Sequence, residues 1–222
     1  MSSKVTEVQS EAKKAKPSQR GVLYVVSSPS GGGKGTIIKR VLDVMPDLSY
    51  SVSYTTRAPR NGEVDGREYF FVDRKRFEEM VAADDFLEWA NVHGHLYGTS
   101  RRQVIEETEG GSDNVLEVDV QGAASVKRLG VDSVSIFILP PSLEVLRDRL
   151  TARGTDSQEE LAVRLRNAPE ELKQYSTFDY IIFNDQADRA AAQLAAIVSA
   201  ERARRCRQEA LVNDVIENFK AD

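Results

Sequence analysis

Lys34 follows three glycines, Gly31, Gly32 and Gly33, and precedes Gly35 and Thr36. Such glycines let backbone N–H groups turn inward around a phosphate, and the lysine neutralises β and γ charge. Ser27-Ser28-Pro29-Ser30 opens the run with loop composition. Before it, Val22–Val26 is short, apolar and β-branched, which predicts a buried strand. After it, Ile37, Ile38, Val41, Leu42 and Met45 recur at helical spacing, and Pro46 marks the end. Strand, glycine loop and helix is the context a phosphate loop needs, and the helix N-terminus adds a positive dipole end. The strict pattern G-x-x-x-x-G-K-[ST] is not met. Ser28 holds the place of the first glycine, Gly35 that of the metal-binding hydroxyl, and Thr36 comes one place late. A glycine-rich turn that binds nothing is the alternative. The strand before, the helix after and the lysine in register argue against it.

A second set of anion donors lies further along. Arg57 and Arg60 stand three apart, followed by glycine turns and Tyr69. They could form a fork for a second phosphate, or a solvated basic hairpin. A third set is Arg149, Arg153 and Arg164 around Gly154-Thr155-Asp156. Phosphoryl transfer spreads negative charge over three equatorial oxygens and works mainly by positioning and electrostatics. Lysine and several arginines meet that demand without a covalent nucleophile. Charge pairs along a helix surface are the simpler account of Arg149 and Arg164.

The stretch Ser53-Tyr54-Thr55-Thr56-Arg57-Ala58-Pro59-Arg60-Asn61-Gly62-Glu63, with Gly66 and Tyr69, resembles the GMP-binding signature of guanylate kinases. Phe86–Ala90, Tyr97-Gly98-Thr99 and Glu117–Gly122 follow in that family's order and spacing. The likeness runs from about residue 21 to about 205. It implies a kinase moving the γ-phosphoryl group of ATP onto GMP with Mg²⁺. By the same likeness Arg57, Arg60, Tyr69 and Tyr97 hold the GMP phosphate, Glu88, Thr99 and Ser53 read the base, Glu117 belongs to the GMP-binding set, and Arg57 joins Lys34 and the lid arginines in catalysis. Asp119, near the end of an apolar strand, organises Mg²⁺ and its waters, with Glu117 two residues earlier on the same strand face. Ser30 through Thr36, with Lys34, cradle the ATP phosphates, and Asn184 sits near the adenine. Arg149, Arg153 and Arg164 resemble the lid arginines of nucleoside monophosphate kinases. The Gly-Lys-Gly-Thr variant resembles adenylate kinases, where the metal leans on phosphates and water. Three other readings compete: a kinase of another monophosphate, a scaffold module that binds phosphopeptides, and a phosphate-loop switch. Glu88, Lys34 and the two separate phosphate forks argue against them in that order.

These residues need a frame. Further strands are predicted at Val115–Val120, Val134–Leu139 and Tyr180–Phe183, alternating with helices. That alternation predicts an α/β fold: a parallel sheet of the phosphate-loop NTP-hydrolase type, with helices on both faces. Residues from about 50 to 100 break the rhythm with Tyr, Arg, Gly and Glu, and read as an insertion on the main sheet with a helix near Phe77–Val81; the family resemblance makes it the GMP-binding insertion. By the same resemblance a lid is expected over about 149–166. Ser142 reads as an N-cap, and Ser100–Gln103 and Ser157–Glu160 as capping boxes. From about Ala187 to Phe219 the composition is helical, with basic Arg202, Arg204, Arg205 and Arg207; residues 206–222 read as a helical extension. Trp89 reads as packing beside Glu88, and His93 and His95 as surface loop residues.

The whole chain fits this frame. It has 222 residues, enough for one domain with insertions. A net charge of −5 gives no footprint for nucleic acid, and no apolar run is long enough to span a membrane. Cys206 is the sole cysteine, which suits a reducing cytoplasm and leaves no internal disulfide. Residues 1–20, rich in Lys, Ser and Glu, read as a disordered tail. Nothing here decides between monomer and homo-oligomer.

Overall fold

The computed structural model describes residues 20–92, 94–153 and 158–220. The tail assigned to residues 1–20 falls outside this, except for Arg20, as do His93 and the lid tip at 154–157, with Ser157 of one capping box.

Five parallel strands form the main sheet. In chain order they are β1 (Leu23–Ser27), β2 (Ser49–Tyr50), β7 (Asn114–Glu117), β8 (Ser133–Leu139) and β9 (Tyr180–Phe183). In space the order is β2-β7-β1-β8-β9. β1 is central, so its side chains meet protein on both faces, and all five of its residues are buried. On one face Tyr24 and Val26 pack with Ile37, Ile38 and Val41 of α1 (Lys34–Val44) and Leu194 and Val198 of α7 (Ala187–Arg202). On the other, Leu23 and Val25 pack with Val104 of α3 (Arg101–Glu109) and Ala123 and Val126 of α4 (Val120–Arg128). Alternate residues of one strand thus feed two cores, as a period of two requires.

A second, four-stranded sheet is ordered β4-β3-β6-β5. It comprises β3 (Tyr54–Thr55), β4 (Phe70–Phe71), β5 (Phe86–Val92) and β6 (His95–Ser100). Phe77 and Met80 of α2 (Arg74–Ala82) close it against Phe86 and Leu96. The pairing of β5 with β6 shifts register between Phe86 and Glu88. Three consecutive residues there are all buried. Phe86 enters the α2 cluster, Leu87 the main core, and Glu88 pairs with Thr99 across the ladder. Trp89 turns the other way and is 47% exposed, so it does not pack beside Glu88.

Helices α5 (Leu143–Arg153) and α6 (Gln158–Lys173) join through Leu146, Leu150 and Ala168, with Leu161 and Leu165 against them. Ser142 Oγ accepts from Val145 N at 3.1 Å, the expected cap. Ser100 caps α3 through Gln103 N at 3.3 Å, but the Gln103 side chain donates to Glu107, so the reciprocal half of the box is not made.

Three boundaries differ from the sequence reading. The strand predicted at Val115–Val120 ends at Glu117, because Asp119 caps α4 by accepting from Gly122 N at 2.9 Å. Ser49–Tyr50 is an edge strand of the main sheet instead of the start of the insertion. The C-terminal helical stretch is two helices, α7 and α8 (Arg205–Lys220), because α7 closes at its C-cap Ala203.

Candidate active site

The phosphate loop links β1 to α1. Gly31 and Gly33 hold φ of +88° and +96°, a region open to glycine and strained for other residues. A side chain at Gly31 would meet Leu150 and Leu146 of α5 at 2.8 and 3.0 Å, and one at Gly33 would meet Asn184 Nδ2 at 2.4 Å. The loop is therefore held in place by both sides of the fold. Asn184, directly after β9 and almost fully buried, donates Nδ2–H to Gly32 O at 2.8 Å. From α6, Glu171 accepts from Ser30 N at 3.0 Å, and Arg164 Nη1 donates to Ser30 Oγ at 3.1 Å. Lys34 Nζ lies 3.1 Å from Ser28 Oγ, so Ser28, in the place of the first glycine, partners the lysine.

A cavity of about 350 Å³ opens beside the loop. Its lining brings Ser30, Lys34 and Arg164 together with Ser53, Arg57, Arg60, Tyr69, Glu88 and Tyr97, and with Glu117 and Asp119. Sequence-predicted residues from five segments thus share one space. A second cavity of about 340 Å³ lies across the loop, lined by Gly31, Gly33, Thr36, Arg149 and Asn184. Arg149 Nη2 donates to Asn184 O at 2.8 Å. Arg153 is the last residue of α5, and its neighbours at 154–157 are outside the described residues.

The three predicted base contacts form one hydrogen-bonded chain. Thr99 Oγ1 donates to Glu88 Oε1 at 2.7 Å, and Ser53 Oγ lies 3.1 Å from Thr99 Oγ1. Glu88 is 6% exposed. Burial pushes its carboxyl up to about 7, helped by the charge of Asp119 and opposed by the Thr99 hydrogen bond.

In the same cavity, Arg57 lies over the rings of Tyr69 and Phe71, 5.5 and 5.8 Å from their centroids. Its Nη1 and Nη2 donate to the two oxygens of Glu63 at 3.0 and 2.9 Å. Glu63 also accepts from Arg60 N at 2.7 Å. Burial pushes the Glu63 carboxyl up, but these bonds outweigh it and hold the group below its ordinary value. Arg57 Nε is buried without a partner, as are Arg149 Nη1 and Asn184 Oδ1. Buried polar atoms are normally satisfied, so these three orphans, on residues that line the two cavities, suit ligand atoms.

The sequence reading missed two residues here. Glu63 braces both arginines, and its place three residues after Arg60 in the quoted signature was the available signal. Tyr50 donates its hydroxyl to Glu117 at 3.4 Å. Burial and Glu117 raise the phenols of both Tyr50 and Tyr69, keeping them protonated donors. His95, read as a surface loop residue, opens β6 and lines the larger cavity.

A Mg²⁺ ion is implied by the sequence resemblance. No group of three or more carboxylate, histidine or cysteine ligands gathers among the described residues. Gly35 offers no hydroxyl, and Glu117 Oε2 would stand 3.6 Å from a Cβ built there. With Asp119 lining the same cavity, this donor set fits an ion completed by phosphate oxygens and water.

Comparison with known proteins agrees with this geometry. The family model described as Guanylate kinase matches residues 20–201. A guanylate kinase of Caldanaerobacter subterraneus subsp. tengcongensis is 49% identical over 84% of this chain and 90% of its own length. That of Geobacter sulfurreducens is 45% identical over 92% of this chain and 99% of its own. The crystal structure of guanylate kinase from Anaplasma phagocytophilum superposes with a TM-score of 0.72 at 33% identity, covering 87% of this chain and 94% of that one. With a glycine loop and Lys34 opening on the same cavity as Arg57 and the buried Glu88, a family model matching residues 20–201 and relatives matched over nearly their full length, the chain belongs to the guanylate kinase family.

Proposed function

We propose a division of labour by which this chain moves the γ-phosphoryl group of ATP onto GMP. Backbone N–H groups from Ser30 to Thr36 and the Lys34 ammonium hold the ATP phosphates. Asn184 and Arg149 flank the adenosine side in the smaller cavity. Arg57, Arg60, Tyr69 and Tyr97 grip the GMP phosphate, with Glu63 setting the angle of the Arg57 fork. Ionised Glu88 accepts from guanine N1–H and the 2-amino group, and Thr99 and Ser53 complete the edge. Arg149, Arg153 and Arg164 offset the charge that develops during transfer, with no covalent intermediate on the protein. Glu117 and Asp119 would hold Mg²⁺ through its waters, and the ion would neutralise phosphate charge.

One observation carries this reading. Lys34 and Arg164 share a single cavity with Glu88, Arg57 and Tyr97, so a donor phosphate and a purine monophosphate can meet without crossing solvent. The test is Glu88→Ala with GMP and IMP as acceptors. IMP keeps N1–H and lacks the 2-amino group. Loss of the carboxylate should cost GMP much more than IMP in kcat/KM and narrow the gap between them. A variant as selective as the parent would remove Glu88 from this role.

A further inference from the structure

Gly122 lies in the first turn of α4, at the third helical position after the cap residue Asp119. It faces two functional carboxylates at once. Its N–H donates to Asp119 Oδ1 at 2.9 Å. A Cβ built on it would stand 2.6 Å from Glu88 Oε2 and 3.2 Å from Glu88 Cδ, with Val118 Cβ at 3.0 Å. No other residue type fits there with Glu88 where it is.

The backbone does not explain the glycine. Gly122 is absent from the positive-φ glycines, and it lies inside a helix, where alanine has the higher propensity. The space is the only local reason for it. Glu88 cannot simply swing aside, because Oε1 is held by Thr99 at 2.7 Å and the side chain is buried. Added bulk at position 122 therefore moves or rotates the carboxylate instead of breaking the helix.

We propose that Gly122 is a specificity-determining positioning residue. Its missing side chain lets the Glu88 carboxylate sit where both oxygens can meet the guanine edge. The same turn ties that carboxylate to Asp119, the residue assigned to the metal side, so the base site and the phosphate site share one rigid helix start. This rests on the reading of Glu88 as the guanine reader, and the test separates the two.

The test compares the full-length parent, Gly122→Ala and Glu88→Ala, each with GMP and IMP, and measures affinity for a non-hydrolysable ATP analogue. Losing one of two hydrogen bonds to a charged group is worth about tenfold or more. Gly122→Ala should raise the GMP KM and shrink the GMP-to-IMP ratio in kcat/KM by about tenfold, with ATP-analogue affinity and thermal midpoint kept. A Gly122→Ala variant with the parental ratio, beside a Glu88→Ala variant that has lost it, overturns the inference and leaves the Glu88 reading standing. If neither variant moves the ratio, both fall. Loss of ATP-analogue affinity to the same degree as GMP affinity also overturns it, because the effect would then be general.

Discussion

Lys34 and Gly35 make opposite contributions to one loop, and each predicts a measurement. Lys34 lines the cavity together with Ser30 and Arg164. Lys34→Ala should lower kcat by about 10²–10³ and leave the GMP dissociation constant near its parental value, measured by single-turnover kinetics and calorimetry. An unchanged kcat would count against its role. Gly35 supplies no hydroxyl, so Mg²⁺ should bind tightly only when ATP is present; titration of the ion alone should give no saturable heat. Glu88 predicts a pH dependence. Its carboxyl is raised to about 7 and must be ionised to accept from guanine, so GMP affinity should rise with pH and level off above about 7. Ionisation of the GMP phosphate, near pKa 6, is common to parent and Glu88→Gln, and the difference between their profiles isolates the carboxyl. The stability sign is the reverse. A folded-state pKa above the ordinary 4.5 gives stability that is present below about 4.5 and lost as pH rises through about 7. Glu88→Gln should therefore stabilise the protein most above pH 7, seen as a higher thermal midpoint at pH 8 than at pH 5 relative to the parent. Much of this was legible in sequence, because Ser53, Glu88 and Thr99 stand in recognisable runs. The hydrogen-bonded chain joining them was not, since Thr99 and Ser53 lie 46 residues apart. Glu63 escaped for a related reason: its value lies in a turn geometry, with Gly62 at φ +85°, that composition does not reveal.

Among the elements, the ends of strands and helices carry the chemistry. Asp119 shows how a strand reading can miss this: Val115–Val120 is apolar enough to look continuous, yet the side chain at 119 serves as a helix cap. The two-residue strands β3 and β4 are too short to leave a period, which is why the second sheet was visible only as a break in rhythm. The split between α7 and α8 contains neither glycine nor proline, so no punctuation announced it. One junction there has a mechanical role. Arg202, at the end of α7, meets Asp113 at 2.6 Å and Asp47 at 2.9 Å, and Asp113 also accepts from Val22 N at 2.7 Å. This ties the end of α7 to the start of the central strand. Asp113→Ala leaves Arg202 and the Val22 N–H short of an acceptor in a half-buried setting. It should lower the unfolding free energy by about 1–3 kcal/mol in urea titration while the GMP-to-IMP ratio stays parental. A change below 0.5 kcal/mol, of the order of ordinary surface substitutions, would show the junction is not stabilising.

For the whole molecule, the parallel five-stranded sheet was legible because apolar β-branched runs alternate with helical periods, and β1 fell within one residue of its expected start and end. The spatial order β2-β7-β1-β8-β9 was not, because strand order depends on which faces the intervening helices cover. The two cavities lie on either side of one glycine loop and draw their walls from the second sheet, the α5–α6 pair and the main sheet. Ligands that bridge the cavities should draw these parts together, and small-angle scattering should show a smaller radius of gyration with a bisubstrate analogue than without it. Identical profiles would argue against closure. The central claim is that this cleft joins ATP to GMP and chooses guanine. Its most direct measurement is ADP formation from ATP and Mg²⁺ with GMP, AMP, CMP or UMP as acceptor. The account predicts rapid turnover with GMP and a kcat/KM for AMP lower by about 10⁴ or more, since adenine meets the Glu88 carboxylate with a lone pair and no 2-amino group. Equal use of AMP, or no ADP formed in response to GMP, would contradict it.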